Sequence, residues 1–105
     1  MDIISIREYC ISKENVSECM PFDDETLVFK KGTKIFAMAN LEGELQLNLK
    51  CNPEYALELR EKYSSVTPGY HMNKKHWNTI SIDGLIPDKE IFEWIDHSYN
   101  IVKAK

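Results

Sequence analysis

The run Glu44-Leu45-Gln46-Leu47-Asn48-Leu49-Lys50 alternates without interruption, with Leu45, Leu47 and Leu49 against Glu44, Gln46, Asn48 and Lys50. In a pleated strand successive side chains point to opposite faces, so this segment is a strand with one buried and one wet face. Two further strand-like runs precede it, Thr26-Leu27-Val28-Phe29-Lys30 and Lys34-Ile35-Phe36-Ala37-Met38-Ala39. The links between them, Lys31-Gly32-Thr33 and Leu41-Glu42-Gly43, are short and contain glycine. Links of that length close antiparallel hairpins and cannot carry the crossover of a parallel pair. A three-stranded antiparallel meander is therefore the frame on which the rest must fold.

Helical patterns flank it. Residues 2–14 place Ile3, Ile6 and Cys10 on one stripe, widened by Ile4 and Ile11, and Arg7, Glu8, Lys13 and Glu14 on the other. Asn15 is the expected stop, and residues 16–25 read as an irregular acidic connector. Met20 precedes a proline and is turned away from helix, and Phe22 is expected to pin the connector to the core. Asn52-Pro53-Glu54 has the form of a helix start, an N-cap, a proline in the first turn and an acid near the positive end of the dipole. Ala56, Leu59 and Tyr63 follow at the spacing that faces a sheet. Pro87-Asp88 opens a last helix with Ile91, Trp94, Ile95, Tyr99 and Val102 at helical spacing, and Lys103 and Lys105 near its negative end.

Between the second and third helices, Pro68-Gly69 signals a turn. Trp77-Asn78-Thr79-Ile80-Ser81-Ile82 then alternates as a strand. The order is helix, three strands, helix, one or two strands, helix. Strands grouped ahead of a helix indicate an α+β domain with an antiparallel sheet and three helices, spanning residues 1–105 as one unit.

Composition narrows the function classes. With 43% hydrophobic and 29% charged residues the chain is ordinary globular material, and no apolar run reaches the ~20 residues of a membrane span. The first residues lack the basic and apolar segments of a secretory signal, so a cytoplasmic location is the expectation. Cys10, Cys19 and Cys51 are odd in number and without CxxC spacing, which points to reduced cysteines rather than disulfides or a zinc ribbon. No HExxH, GxSxG, Walker or EF-hand pattern occurs, so neither catalysis nor a cofactor is expected. The net charge of −4 is unevenly laid out. Residues 1–25 carry seven acids and two bases, residues 26–80 five acids and eight bases, and residues 81–105 five acids and three bases. A basic middle between acidic ends suits a local anion-binding face.

The densest chemistry lies in Pro68-Gly69-Tyr70-His71-Met72-Asn73-Lys74-Lys75-His76-Trp77. Lysines there can neutralise phosphates, asparagine can donate to a phosphate or base edge, and the aromatics and histidines can stack or hydrogen-bond. Trp77, at a strand start, is by its type more often a core residue than a contact. His97-Ser98-Tyr99 reads as a packing element whose polar tips seek buried partners.

In order along the chain come Met20-Pro21-Phe22, Gly32-Thr33-Lys34-Ile35-Phe36-Ala37, Leu49-Lys50-Cys51 with Pro53-Glu54, Pro68 to Lys74, His76-Trp77, and Asp96-His97-Ser98-Tyr99. Together these resemble the MmcQ/YjbR family of small bacterial proteins, over nearly the whole chain. The resemblance implies a compact α+β fold likened to a double-wing DNA-binding module, in proteins commonly labelled DNA-binding. The expectation is weak, salt-dependent binding of DNA, with a regulatory role, by a monomer. Its candidate contacts are Lys30, Lys31, Lys34, His71, Asn73, Lys74, Lys75, His76 and Trp77, the lysine-bearing hairpin acting as a wing. The alternative is a non-enzymatic module that binds a protein or small ligand through the 70–77 face. Convergence of Lys30, Lys34, Lys74 and Lys75 on one face would favour nucleic acid; scattered lysines, with Tyr70 and Trp77 exposed in a pocket, would favour a ligand or protein partner.

Overall fold

The computed structural model describes residues 1–69 and 72–103. Its elements are α1 (Ile3–Ile11), β1 (Val16–Cys19), β2 (Thr26–Lys31), β3 (Lys34–Asn40), β4 (Gln46–Lys50), α2 (Pro53–Lys62), β5 (Val66–Pro68), β6 (Trp77–Ser81) and α3 (Asp88–Ile101). The strands form one antiparallel sheet in the order β1-β2-β3-β4-β6-β5. The expected α+β architecture is present, with the meander at its centre.

Register decides which side chains share a face. Leu47 and Leu49 of β4 stand opposite Ala39 and Ala37 of β3, and opposite Ile80 and Asn78 of β6. Leu27 and Phe29 of β2 continue this row, and against it pack Ile6 and Cys10 of α1, Ala56 and Leu59 of α2, and Ile91, Trp94 and Ile95 of α3. All three helices therefore lie on one face. α3 crosses β3 and β4, α1 sits by β1, and α2 by β5. Burial of this apolar cluster at about 25 cal/mol per Å² is the main force holding helices to sheet.

The helix ends follow their sequence signals. The Asp2 carboxylate accepts from Ser5 N at 2.9 Å, and Asn52 Oδ1 accepts from Glu54 N at 3.0 Å, each closing a free N–H of the first turn. Asn15, expected as the stop of the first helix, adopts φ 63°, a left-handed conformation that asparagine tolerates. It turns the chain back into β1, which corrects the reading of 16–25 as wholly irregular. Val16–Cys19 pairs with β2 as the sheet edge, and Arg7 of α1 holds Glu18 with two bonds of 2.7 and 3.0 Å. Phe22 corrects another expectation: it is 65% exposed and pins nothing to the core.

Between Phe29 and Lys30 the β2–β3 register slips, leaving Phe36 unopposed as a bulge. Phe36 and Ala37 are consecutive in sequence, yet both are fully buried. Ser98 of α3, itself fully buried, donates its hydroxyl to Phe36 O at 2.5 Å and accepts Lys50 N at 3.0 Å. Tyr99 donates to Glu14 O at 2.5 Å, and His97 Nε2 accepts Asn52 N at 3.1 Å. Of the polar tips of 97–99, Ser98 finds the expected buried partner, whereas the bonds of His97 and Tyr99 lie at exposed positions.

Candidate functional site

Because antiparallel neighbours reverse direction, β2 ends, β3 begins, β4 ends and β6 begins at the same end of the sheet. That end gathers Lys30, Lys31, Lys34, Lys50, Lys74, Lys75 and His76 from segments far apart in sequence. From β2 to β6 is three strand spacings, about 14 Å.

Within this set the roles diverge. Lys30 stands opposite Ile35 and Lys50 opposite Trp77, and both pairs belong to the face without helices. Lys31 faces the other way: its Nζ donates to Tyr99 O at 2.9 Å and lies 4.1 Å from the Tyr99 ring centroid. Lys31 ties the hairpin to α3, and so does not share a face with Lys30. Lys34 is the register partner of Lys31 and takes that same helix-side face; it is exposed, as are Lys74 and Lys75. Asn73 shapes the turn, its Oδ1 accepting Lys75 N at 2.9 Å and its carbonyl accepting the amides of His76 and Trp77 at 3.1 and 3.0 Å. His76 is half-buried, with its carbonyl on Cys51 N at 2.7 Å. His71, another candidate, lies outside the described residues, as do Tyr70 and Lys105.

The lysine turn is fixed from behind by Arg60 of α2. Its guanidinium donates to the buried Asn78 Oδ1 at 2.7 Å, to Trp77 O at 3.2 Å, and to Lys74 O. Gly69 completes the clamp: its N–H donates to Trp77 O at 2.8 Å, and a Cβ there would stand 2.7 Å from Trp77 Cβ. Only glycine allows the two strands to approach so closely.

Across the face without helices runs a groove of about 510 Å³, lined by Phe22, Asp23, Thr26, Ile35, Met38, Asn48, Met72 and Trp77. Met38 and Asn48 are register partners in its floor, and Thr79 Oγ1 donates to Asn48 Oδ1 at 2.5 Å. Trp77 and Met72 flank one side, Phe22 and Asp23 the other. Asp23 accepts Glu25 N at 2.9 Å and Thr26 N at 2.8 Å, and these bonds hold its carboxyl below the ordinary carboxylate range. Sequence reasoning missed Lys50, Phe22, Asp23 and Asn48. Only register brings Lys50 beside Trp77, 27 residues away in the chain.

The thiols are placed for packing. Burial pushes Cys51 up to about 11 and Cys10 up to about 12, which keeps both protonated at neutral pH. Burial pushes the His97 imidazole below its ordinary value. Among the described residues no three His, Cys, Asp or Glu side chains gather as a metal-ligand group, and no helix is long and apolar enough to cross a membrane.

A family model described as YjbR matches residues 11–101. The chain belongs to the YjbR family. It is 35% identical over 100 residues to the protein YjbR of Escherichia coli (strain K12), covering 94% of this chain and 85% of that one. A crystal structure from Deinococcus radiodurans superimposes with a TM-score of 0.88 at 40% identity, over 92% of this chain and 75% of its own. A crystal structure from Pseudomonas syringae gives 0.85 at 26% identity, over 98% and 100%. The six-stranded sheet with its helices on one face is thus the YjbR architecture, and the resemblance drawn from the short motifs is family membership.

Proposed function

We propose that this YjbR-family chain is a nucleic-acid-binding protein, and not a catalyst, that grips the phosphate backbone through the lysine-bearing end of its sheet. One observation carries the reading: Lys30, Lys34, Lys50, Lys74 and Lys75 come to that end from separate strands and turns. The strands that carry them span about 14 Å, enough to bring cations to more than one phosphate of a backbone that crosses this end of the sheet. The chain as a whole is acidic at −4, so the attraction is local, modest in strength and steeply salt-dependent. This reading places the protein in the cytoplasm, beside its nucleic acid.

The test is fluorescence anisotropy of labelled duplex and single-stranded DNA over a range of salt. On duplex, log K falls by about 0.9 per log unit of salt for each phosphate neutralised. The double substitution Lys74→Ala/Lys75→Ala removes two contacts and should flatten that slope by about 1.8. Lys89→Ala, an exposed cation in the first turn of α3 at the opposite end of the sheet, should leave it unchanged. Absence of binding at low salt would overturn the proposal.

A further inference from the structure

We infer that the groove on the uncovered face is a site for unpaired nucleotides, with bases stacked on Trp77 and Phe22 and phosphates directed to Lys50 and Lys30. The inference rests on the phosphate-binding reading above and names its substrate class: single-stranded rather than duplex nucleic acid.

Three features of the groove converge on this ligand. Its lining is apolar where Trp77, Phe22, Ile35 and Met38 form it. Phe22 is 65% exposed, an aromatic held out of the core at a groove wall, and a base has a π-face that stacks on such a ring whatever its identity. The groove is also electrically polarised. At one end Lys30 and Lys50 flank it, as register partners of the lining residues Ile35 and Trp77. At the other end lies Asp23, ionised and lining the groove. A nucleotide has the complementary polarity, an anionic phosphate at one end and, on cytosine, adenine and guanine, an exocyclic amino donor at the other.

Asp23 has the capacity to receive that donor. Both backbone amides, from Glu25 and Thr26, bond its Oδ1, while among the described residues Oδ2 accepts from the Thr26 hydroxyl alone, at 3.4 Å. A carboxylate offers about four lone-pair sites, so Oδ2 can accept from an amino group. Thymine and uracil present a carbonyl in that place, which would meet the carboxylate unfavourably. The groove should therefore prefer cytosine to thymine strands. A duplex buries both the stacking faces and the pairing edges of its bases, and can reach only the lysines.

The experiment follows tryptophan fluorescence while the protein is titrated with oligo-dC, oligo-dT, cytidine monophosphate and a matched duplex. Trp94 is 3% exposed in the core, so quenching by a ligand reports Trp77, and Trp77→Phe should abolish the signal while preserving a stacking ring. Oligo-dC should quench and bind more tightly than oligo-dT, and Asp23→Asn should erase that preference. Phe22→Ala, at an exposed position that leaves the core intact, should weaken single-strand binding about tenfold and leave duplex binding unchanged. Duplex and single strand binding alike, with Phe22→Ala without effect, would overturn the groove site and leave the backbone reading standing. Quenching by cytidine monophosphate and sensitivity to Phe22→Ala, with no strand bound, would uphold the groove for free nucleotides and overturn the backbone reading. No quenching by any probe together with no binding would overturn both.

Discussion

The two ends of the sheet lie about 17 Å apart along β2 and have opposite charge. At one end the connectors 20–25, 41–45 and 82–88 hold seven acids and no base. At the other the links 12–15, 31–34 and 69–76 hold five lysines, two histidines and one acid, Glu14. The acidic end uses its polar side chains to build its own loops. Asp23 accepts the amides of Glu25 and Thr26, Asp83 accepts Ser65 Oγ at 2.6 Å and Leu85 N at 3.1 Å, and Asn40 bridges Glu42 O, Glu44 O and Gln46 N. The lysine end is held together by other groups, namely Arg60, Lys31 and Ser98. Among the described residues the ion pairs are Met1–Asp88, Arg7–Glu18 and Lys13–Asp96, and Lys30, Lys34, Lys50, Lys74 and Lys75 belong to none of them. The difference teaches that charge at one end serves the fold, and at the other is left at the surface with the fold supplied from behind.

The largest effect that could break this division is expected at Arg60. Arg60→Ala removes charge-assisted bonds to Asn78, Trp77 and Lys74 and leaves the buried Asn78 oxygen short of its donor. Loss of a partner to a buried polar group costs about 1–3 kcal/mol, and the variant should fall near the top of that range in chemical denaturation. It should also weaken DNA binding although every lysine of the row remains, because the 74–77 turn loses its anchor. A variant that loses stability but binds with the wild-type salt slope would show that the lysines need no placement. The comparison would then reduce to net charge.

That anchor was hidden in the sequence, and the reason is physical. Period-two alternation marks Gln46–Lys50 because one face of it is buried and the other is wet, α2 is marked by its Asn52 cap and helical spacing, and α3 by helical spacing after Pro87. β1 has no such mark: it is a four-residue edge strand, and its helix-side Glu18 is an acid held by Arg7. Phe36 and Ala37 share a face only through a bulge, which alternation cannot announce. For the candidate site, the basic 74–77 turn and the lysine hairpin were legible as clusters. Which face each lysine takes depends on parity and register across strands, so nothing in the sequence parts Lys31 and Lys34 from Lys30 or joins Lys50 to Trp77. Phe22 read as an anchor because an aromatic is usually buried, and its exposure is knowable only from coordinates.

A smaller effect should appear with pH at the lysine end. The His97 imidazole is pushed below its ordinary value of 6.5 by burial, and its neutral Nε2 accepts Asn52 N at 3.1 Å. Between the folded and unfolded values the unfolded chain binds more protons, so stability should fall as pH drops below 6.5 through the folded value. His97→Gln retains an acceptor and does not titrate. Denaturation midpoints measured over about pH 5 to 8 should fall on the acid side for the wild type and be flatter for the variant. Identical profiles would show that the ring does not couple proton binding to the α2 start, and that acid weakens the lysine end by some other route.

The smallest effect separates the two ends as electrical neighbours. Glu42→Gln/Glu44→Gln removes two negative charges from the acidic end while keeping the backbone carbonyls that Asn40 bridges. The lysines lie about 17 Å away along the sheet, roughly twice the ~8 Å Debye length at physiological ionic strength. The variant should therefore bind DNA as the wild type does at that salt. Near 10 mM the Debye length grows to about 30 Å, the repulsion between these acids and the phosphates is no longer screened, and its removal should raise affinity by about twofold. An equal gain at both salts would mean that the nucleic acid runs along the sheet and reaches the acidic end directly. In that case the strand would lie parallel to β3, and its phosphates as well as a base edge would reach the Asp23 end of the groove.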